Sequence, residues 1–507
     1  IAALSLATDL AVGFPMEHGL RSALVAMRLS DRLDVDHETA SQAYFLSLLF
    51  YVGCTSPVEV GWEAFGNDHS FHTYAIPYRF GSLAETVKGI TRAIAPPTDP
   101  APVRVWRVAR HLPELAVKFG GIVAATCEAA RMLTDQLGLP AVSQLFGFES
   151  ERWDGKGLPN RVGGERIPLA VRIGQVARDA VFQDNLGNAE FVADVISRRG
   201  GGAFDPAIAQ ALADDAGEIL DLGSATPLWD STLEVEPKPW LMLEGTEIDQ
   251  ALAAMGDFAD MAIPELVGHS RGVSELAHTA AEASFPESWD RVKIRRAGLV
   301  HDLGRISVPT RFWDKTDPLT SDDWERVRLH AYHTERILVR SPFLAGLAPL
   351  ASFHHERLDG SGYHRGVGSP SLDPLARLLA AADAYHAMTE PRPHRPALPP
   401  EEAAETLTEE AGKGTLDSEA VAAVLKAAGH RRPLVERPAG LTEREIEVVR
   451  LLASGLQTKQ IARQLNISAK TADSHIQNAY RKMGVATRAG ATLYAMQHGL
   501  TTWENSR

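Results

Sequence analysis

Apolar residues recur at three-and-four spacing through 17–34 (EHGLRSALVAMRLSDRLD), 269–284 (HSRGVSELAHTAAEAS) and 375–387. That spacing gathers them on one stripe of a helix. No convincing run alternates at period two, so no half-buried strand is predicted and the fold class is all-α. Pro- and Gly-bearing breaks fall at 95–102 (APPTDPAP), around 222–239, at 390–400 (EPRPHRPALPP) and at 430–440 (HRRPLVERPAG). They suggest domains at 1–230, 240–430 and 436–507, and 507 residues accommodate about three cores of ordinary size. No uncharged apolar run is long enough to span a bilayer, so no membrane segment is expected. The opening IAALSLATDLAVGF reads as an amphipathic helix of a trimmed chain rather than a signal peptide.

The pattern also repeats. SERWDGKGLP (150–159) aligns with HERLDGSGYH (355–364), sharing E-R-x-D-G-x-G. Around this core, 167–182 aligns with 373–388, EAARML (128–133) with HTERIL (333–338), SLLFYVGCTSP (47–57) with GLVHDLGRISVP (298–309), and His18 with His269. Ordered matches of this kind indicate a duplication. Chemistry divides unequally between the copies. His301 and Asp302 stand opposite Phe50 and Tyr51, and His354 and His355 opposite Glu149 and Ser150. His330 stands opposite Ala125, and Asp383 opposite Arg178, or Asp179 if the register slips by one. Only His18 persists, so the first copy is expected to keep the fold and lose the site.

Composition narrows the partners. The chain is 45% hydrophobic and 23% charged with net charge −14, a folded protein without an overall nucleic-acid-coating surface. Residues 440–507 reverse that balance, with nine Lys/Arg against five Asp/Glu, and could meet DNA locally. Two cysteines, Cys54 and Cys127, are too few for a disulfide framework or a thiolate zinc site and read as plain buried thiols. A cytoplasmic location is expected.

The second copy holds the candidate chemistry: His269, His301, Asp302, His330, His354, His355 and Asp383. Imidazole nitrogens and carboxylate oxygens suit iron, manganese or zinc. A two-ion hydrolase needs a carboxylate shared between ions about 3.5–4 Å apart, and Asp302 is the candidate bridge. A lone His269 at a helix start would ordinarily be a cap, but a buried His-His pair is hard to explain as packing, because each ring carries polar atoms needing partners. Arg305, three residues after the pair, could clamp a phosphate.

His301-Asp302-Leu303-Gly304, then His330, His354-His355-Glu-x-x-Asp-Gly-x-Gly-Tyr363 and Asp383, together resemble the HD-GYP subgroup of the HD phosphohydrolase superfamily, over roughly 255–430. The resemblance implies two tandem HD-type helical domains, the first degenerate. It implies hydrolysis of cyclic di-GMP at a bimetallic or trimetallic iron or manganese site, with zinc possible. One ion would take His269, His301, Asp302 and Asp383; the other would take Asp302, His330, His354 and His355. Arg305 replaces the family's lysine near the His-Asp pair. Two departures stand out: the loop reads Gly362-Tyr363-His364 in place of GYP, and His386-Ala387-Met388 replaces Asp-Ala-Leu. Both bear on substrate identity, leaving cyclic mononucleotides and other phosphate esters open. A non-catalytic metal- or nucleotide-sensing regulator is the alternative.

Residues 441–500 predict four short helices. Thr442 with Glu445 forms a capping box, Gly455 closes the first helix, and 460–468 has helix-turn-helix spacing. The stretch resembles the LuxR/FixJ-type DNA-binding domain. That resemblance places Lys470, Thr471, Ser474, His475 and Asn478 towards the major groove and Lys459 and Lys482 at phosphates. It makes 487–498 a dimerisation helix, so a homodimer bound to DNA is expected.

Overall fold

The computed structural model describes residues 1–55, 74–75, 78–223, 226–284, 287–429 and 438–501. The fold is all-helical; among the described residues there are two isolated bridges and no strand. The chain divides into two compact units, Ile1–Glu244 and Gly245–Arg507.

The first unit's principal helices are α1 (Ala2–Val12), α2 (His18–Arg32), α3 (His37–Leu49), α4 (Ala101–Gln136) and α5 (Leu169–Asp184). Its core forms where α2 packs on α3 and α5 and buries Leu20, Leu24, Leu29, Leu46 and Ile173. The 95–102 stretch separates two helices, Leu83–Ile94 and α4, as its prolines require. The stretch around 222–239 is not wholly irregular: Leu228–Glu234 is a helix that buries Trp229 and Thr232. Most of the 430–440 break lies outside the described residues.

In the second unit the helices are α6 (Thr246–Asp260), α7 (His269–Ser284), α8 (Ser288–Val300), α9 (Ser321–Leu338), α10 (Pro374–Met388) and α11 (Ser418–Gly429). They are followed by α12 (Glu443–Ala453), α13 (Thr458–Gln464), α14 (Ala469–Met483) and α15 (Arg488–Gln497). Helix α7 is central, packed on α6, α8, α10 and α11.

Local hydrogen bonding repeats between the units and fixes the duplication's register. The start of α2 is held by Asp9, which accepts from Gly19 N at 3.2 Å; the start of α7 is held by Asp260, which accepts from Ser270 N at 2.8 Å. A carboxylate there satisfies a free N–H of the first turn, which places His18 and His269 at matching helix starts. Glu151 accepts from Asn160 N and Val162 N at 2.7 and 3.0 Å, and Glu356 accepts from Arg365 N and Val367 N at the same distances. Arg172 pairs with Asp205 as Arg377 pairs with Asp417, each aspartate capping the following helix. Arg172 therefore corresponds to Arg377, so 167–182 matches 372–387 and Arg178 falls opposite Asp383. Asp179 is taken by Arg199 instead. Two expected pairings are corrected: 167–182 matches 372–387 rather than 373–388, and the partner of His330 shifts by one. Gly53 lies against Thr126 O and Ala130 N, whereas Gly304 lies against His330 O and Thr334 N. Thr126, not Ala125, is thus the counterpart of His330.

Candidate metal centre

The His301-Asp302 pair sits at the junction of α8 and a 3-10 turn, Leu303–Ser307. Thr334 of α9 locks this junction: its Oγ1 accepts from Gly304 N at 2.9 Å and donates to His301 O at 3.0 Å. A Cβ on residue 304 would strike the α9 backbone at His330 O, so glycine permits the approach. The same helix carries His330 one turn earlier. His354 and His355 follow the short helix Ala348–Ser352, and Asp383 lies on α10, whose N-terminus Asp373 caps through Leu375 N at 2.8 Å.

All seven candidate ligands come together. Asp302 has no solvent exposure, and around it lie His301 Nε2 at 3.1 Å, His269 Nε2 and His354 Nε2 each at 3.4 Å, and His330 Nε2 at 3.5 Å. Asp383 Oδ1 lies 3.2 Å from His269 Nε2 and 3.7 Å from His301 Nε2, and Asp383 Oδ2 lies 3.9 Å from His355 Nδ1. The protein chooses the ligating nitrogens. Nδ1 of His301, His330 and His354 lies 2.7, 2.6 and 2.6 Å from the carbonyls of Gly298, Val327 and Ala351. A carbonyl can only accept, so these Nδ1 atoms carry hydrogen and the Nε2 atoms face the site. His330 Nε2 and His354 Nε2 then meet at 3.3 Å.

Electrostatics divides the cluster. Burial alone would lower His269 and His301, but Glu390 chiefly holds His269 well above its ordinary value, and Asp302 lifts His301 to about 9. Burial would raise Asp302 and Asp383; Arg305 and His301 hold the first well below the carboxylate range, and His269 and His301 do the same for the second. On the other side burial takes His330 down to about 3 and, with His354, depresses His355. The carboxylate side thus gathers positive charge, while the His330–His355 side offers neutral imidazoles. Both oxygens of Asp302 and Nε2 of His301 lack an aligned hydrogen bond although buried. Buried polar atoms ordinarily have partners. Orphaned carboxylate oxygens facing imidazole nitrogens fit divalent cations.

Arg305 is buried and its Nη1 lies 2.8 Å from Asp302 Oδ2, a close ion pair without hydrogen-bond alignment, with its guanidinium 5.2 Å from the Trp313 ring. Tyr363 stacks on His355 at 4.6 Å. One participant escaped the sequence reading. Glu390 Oε2 lies 2.9 Å from His269 Nδ1 and 2.9 Å from Arg392 Nη2, so it fixes which His269 nitrogen faces Asp383. It lies in the stretch 390–400, read only as a break; the signal was an acid four residues after His386, with which it also pairs at 3.1 Å.

The C-terminal helices present a second surface. Thr442 and Glu445 form the expected capping box, and Asn466 makes the turn between α13 and α14 at φ 52°. Ala472, Ile476, Ala479 and Met483 of α14 are buried. Lys470, Thr471 and Ser474 are exposed, with His475 and Asn478 half-buried along the same side, and Lys459 on α13 is exposed. Lys482 differs: its ammonium is engaged by Glu445 at 2.6 Å and Gly440 O at 3.1 Å.

Residues 254–420 match the HD domain family, and residues 439–495 match the bacterial regulatory proteins of the luxR family. The chain therefore carries an HD domain followed by a luxR-type regulatory domain. Among its relatives, the 3'3'-cGAMP-specific phosphodiesterase 3 of Vibrio cholerae serotype O1 is 28% identical over 435 residues, 84% of this chain and 93% of that protein. A crystal structure of a cyclic GMP-AMP-specific phosphodiesterase of V. cholerae superposes with a TM-score of 0.56 at 25% identity, covering 85% of this chain and 96% of that one. The cyclic di-GMP phosphodiesterase of Thermotoga maritima is 34% identical over 182 residues, 36% of this chain and 48% of that protein.

Proposed function

We propose that the second unit is a metal-dependent phosphodiesterase acting on a 3'3'-linked cyclic dinucleotide, joined to a DNA-binding domain whose regulatory output follows the same ligand. The observation that carries this reading is the buried Asp302 carboxylate, without an aligned hydrogen bond on either oxygen and ringed by imidazole nitrogens, three of whose rings commit their other nitrogen to backbone carbonyls. His269, His301, Asp302 and Asp383 would hold one divalent ion, and Asp302, His330, His354 and His355 the other, with iron or manganese favoured and zinc open. Bound there, the ions would supply Lewis acidity to the phosphoryl oxygens and to an attacking water. The chain supplies the rest. Asp302 would be shared between the ions, Glu390 and the three carbonyls fix the ring tautomers, and Arg305 would add positive charge beside the developing negative charge. Tyr363 closes the His355 side with an aromatic face. The relative aligned over most of the chain carries the 3'3'-cGAMP name, which favours that substrate over the cyclic di-GMP implied by the family resemblance.

The test is metal content of the purified chain, paired with hydrolysis of 3'3'-cGAMP, cyclic di-GMP, cyclic AMP, cyclic GMP and an aryl phosphodiester. About two ions per chain, and turnover abolished in Asp302→Ala, are expected. No bound metal after loading with iron and manganese refutes the reading. Metal without turnover refutes the enzyme and favours a nucleotide sensor that reports to the luxR-type domain.

A further inference from the structure

We propose that the first unit binds the phosphodiester of a cyclic dinucleotide at Arg178 and Arg79 and does not hydrolyse it. The ligand class rests on the reading of the second unit; the anion site rests on the first unit's own residues.

Arg178 takes the position of Asp383, and Phe50, Tyr51 and Glu149 take those of His301, Asp302 and His354. Where the second unit needs cations, the first carries built-in ones. Arg178 is 2% exposed, and its guanidinium lies 4.3 Å from the Phe50 ring and 4.7 Å from the Phe80 ring. Its Nη1 donates to Tyr51 Oη at 2.7 Å, a neutral acceptor, and its buried Nε has no partner. Arg79 flanks the same two rings and bonds Glu149 Oε1 at 3.1 Å. The neighbouring Asp179 is engaged by Arg199. Among the described residues, two guanidiniums therefore share the charge of one carboxylate, Glu149, at this cluster. A buried cation without its own counter-charge is costly, and an anion placed there relieves it.

His18 is the second observation. It is 2% exposed, neither ring nitrogen has a partner, and burial next to Arg178 lowers it to about 3. The ring is thus neutral, with one N–H free for an acceptor oxygen. Phe14, Tyr51 and Phe182 surround it at 4.7–6.3 Å. Arg79, with a quarter of its side chain exposed, gives the cluster its solvent edge. Guanidiniums recognise phosphate through paired N–H donors. They are always protonated and cannot acidify a water as a metal ion does, so binding without turnover follows.

The experiment silences the second unit and leaves the chain whole. Full-length protein carrying Asp302→Ala and His354→Ala is titrated calorimetrically with 3'3'-cGAMP, cyclic di-GMP and inorganic phosphate. One equivalent of dinucleotide per chain is expected, weakened at least about tenfold by adding Arg178→Met or, independently, Arg79→Gln. Arg79 is at the solvent edge, so its variant guards against a folding failure at Arg178, and helical circular dichroism is checked for both. No dinucleotide binding, binding of phosphate alone, or dinucleotide binding that neither substitution weakens overturns the proposal. Turnover of the unsubstituted chain is read separately, so failure of the catalytic reading and failure of this one are distinguishable.

Discussion

Glu356→Gln tests whether the duplicated loop is a structural device independent of the chemistry. Glu356 is 1% exposed, and its carboxylate accepts from Arg365 N at 2.7 Å and Val367 N at 3.0 Å, closing the loop that sets Tyr363 on His355. Glutamine keeps one acceptor oxygen and turns an NH2 group towards the other N–H. One charge-assisted bond is lost and one buried donor is left unpaired, about 2–4 kcal/mol against the closed loop. That corresponds to roughly thirty- to several-hundred-fold faster amide exchange at 365 and 367. Glu151→Gln should loosen 160 and 162 by a similar factor, because Glu151 is buried and makes the same two bonds. Hydrogen exchange followed by mass spectrometry on both variants is the assay. Both loops should open, while only Glu356→Gln should reduce dinucleotide turnover. Exchange at 365 and 367 within a fewfold of the unsubstituted protein, or loosening in one copy only, would refute the reasoning.

Glu390→Gln should weaken metal retention about 10–100-fold, since the carboxylate orienting His269 is lost while the seven candidate ligands remain; competition with a chelator measures it. Burial pushes the Cys54 thiol up to about 12 and Cys127 higher still, so neither should react with iodoacetamide at pH 8 in the folded chain, and both should react in denaturant, as mass spectrometry would register. Lys459→Ala should weaken DNA binding and lower the salt slope by about one, whereas Lys482→Ala should leave the slope nearly unchanged, because Glu445 already holds that ammonium; fluorescence anisotropy at several salt concentrations separates them.

The all-helical fold was legible because apolar residues recur at helical spacing, although burial in α2 and α10 runs round the helix, through Ser22–Ala26 and Leu378–Asp383, rather than along one stripe. The ligand set was legible because imidazole and carboxylate side chains in buried clusters have little other use. Registers were less so. The match of 128–133 to 333–338 is apolar against apolar, and sliding it by one residue costs little similarity, which is how Ala125 was set opposite His330. Backbone proximity at Gly53 and Gly304 decides it. Glu390 was hidden for a different reason: its four-residue spacing from His386 was visible, but its contact with His269 depends on a fold-back of the segment after α10 onto the start of α7. The ion pair of Lys482 was hidden in the same way, since its partner Glu445 lies on a neighbouring helix.

Charge explains why the two copies could not drift apart one residue at a time. In the second unit Arg305 pairs directly with Asp302 and Arg392 with Glu390, while Asp383 faces His269 and His301. Placing an arginine at position 383 alone would remove one of the two carboxylates that face His269 and His301 and set a guanidinium beside Arg305 in competition for Asp302. In the first unit that arginine stands where Phe50 and Glu149 replace His301 and His354, Tyr51 replaces Asp302, and Arg79 holds Glu149. Restoring an aspartate at 178 by itself would bury a carboxylate against Phe50 and Phe80 without ligands to share an ion. The replacements are consistent as a set: they exchange a cluster of imidazoles and carboxylates for one of guanidiniums and aromatic rings at the same place in the fold.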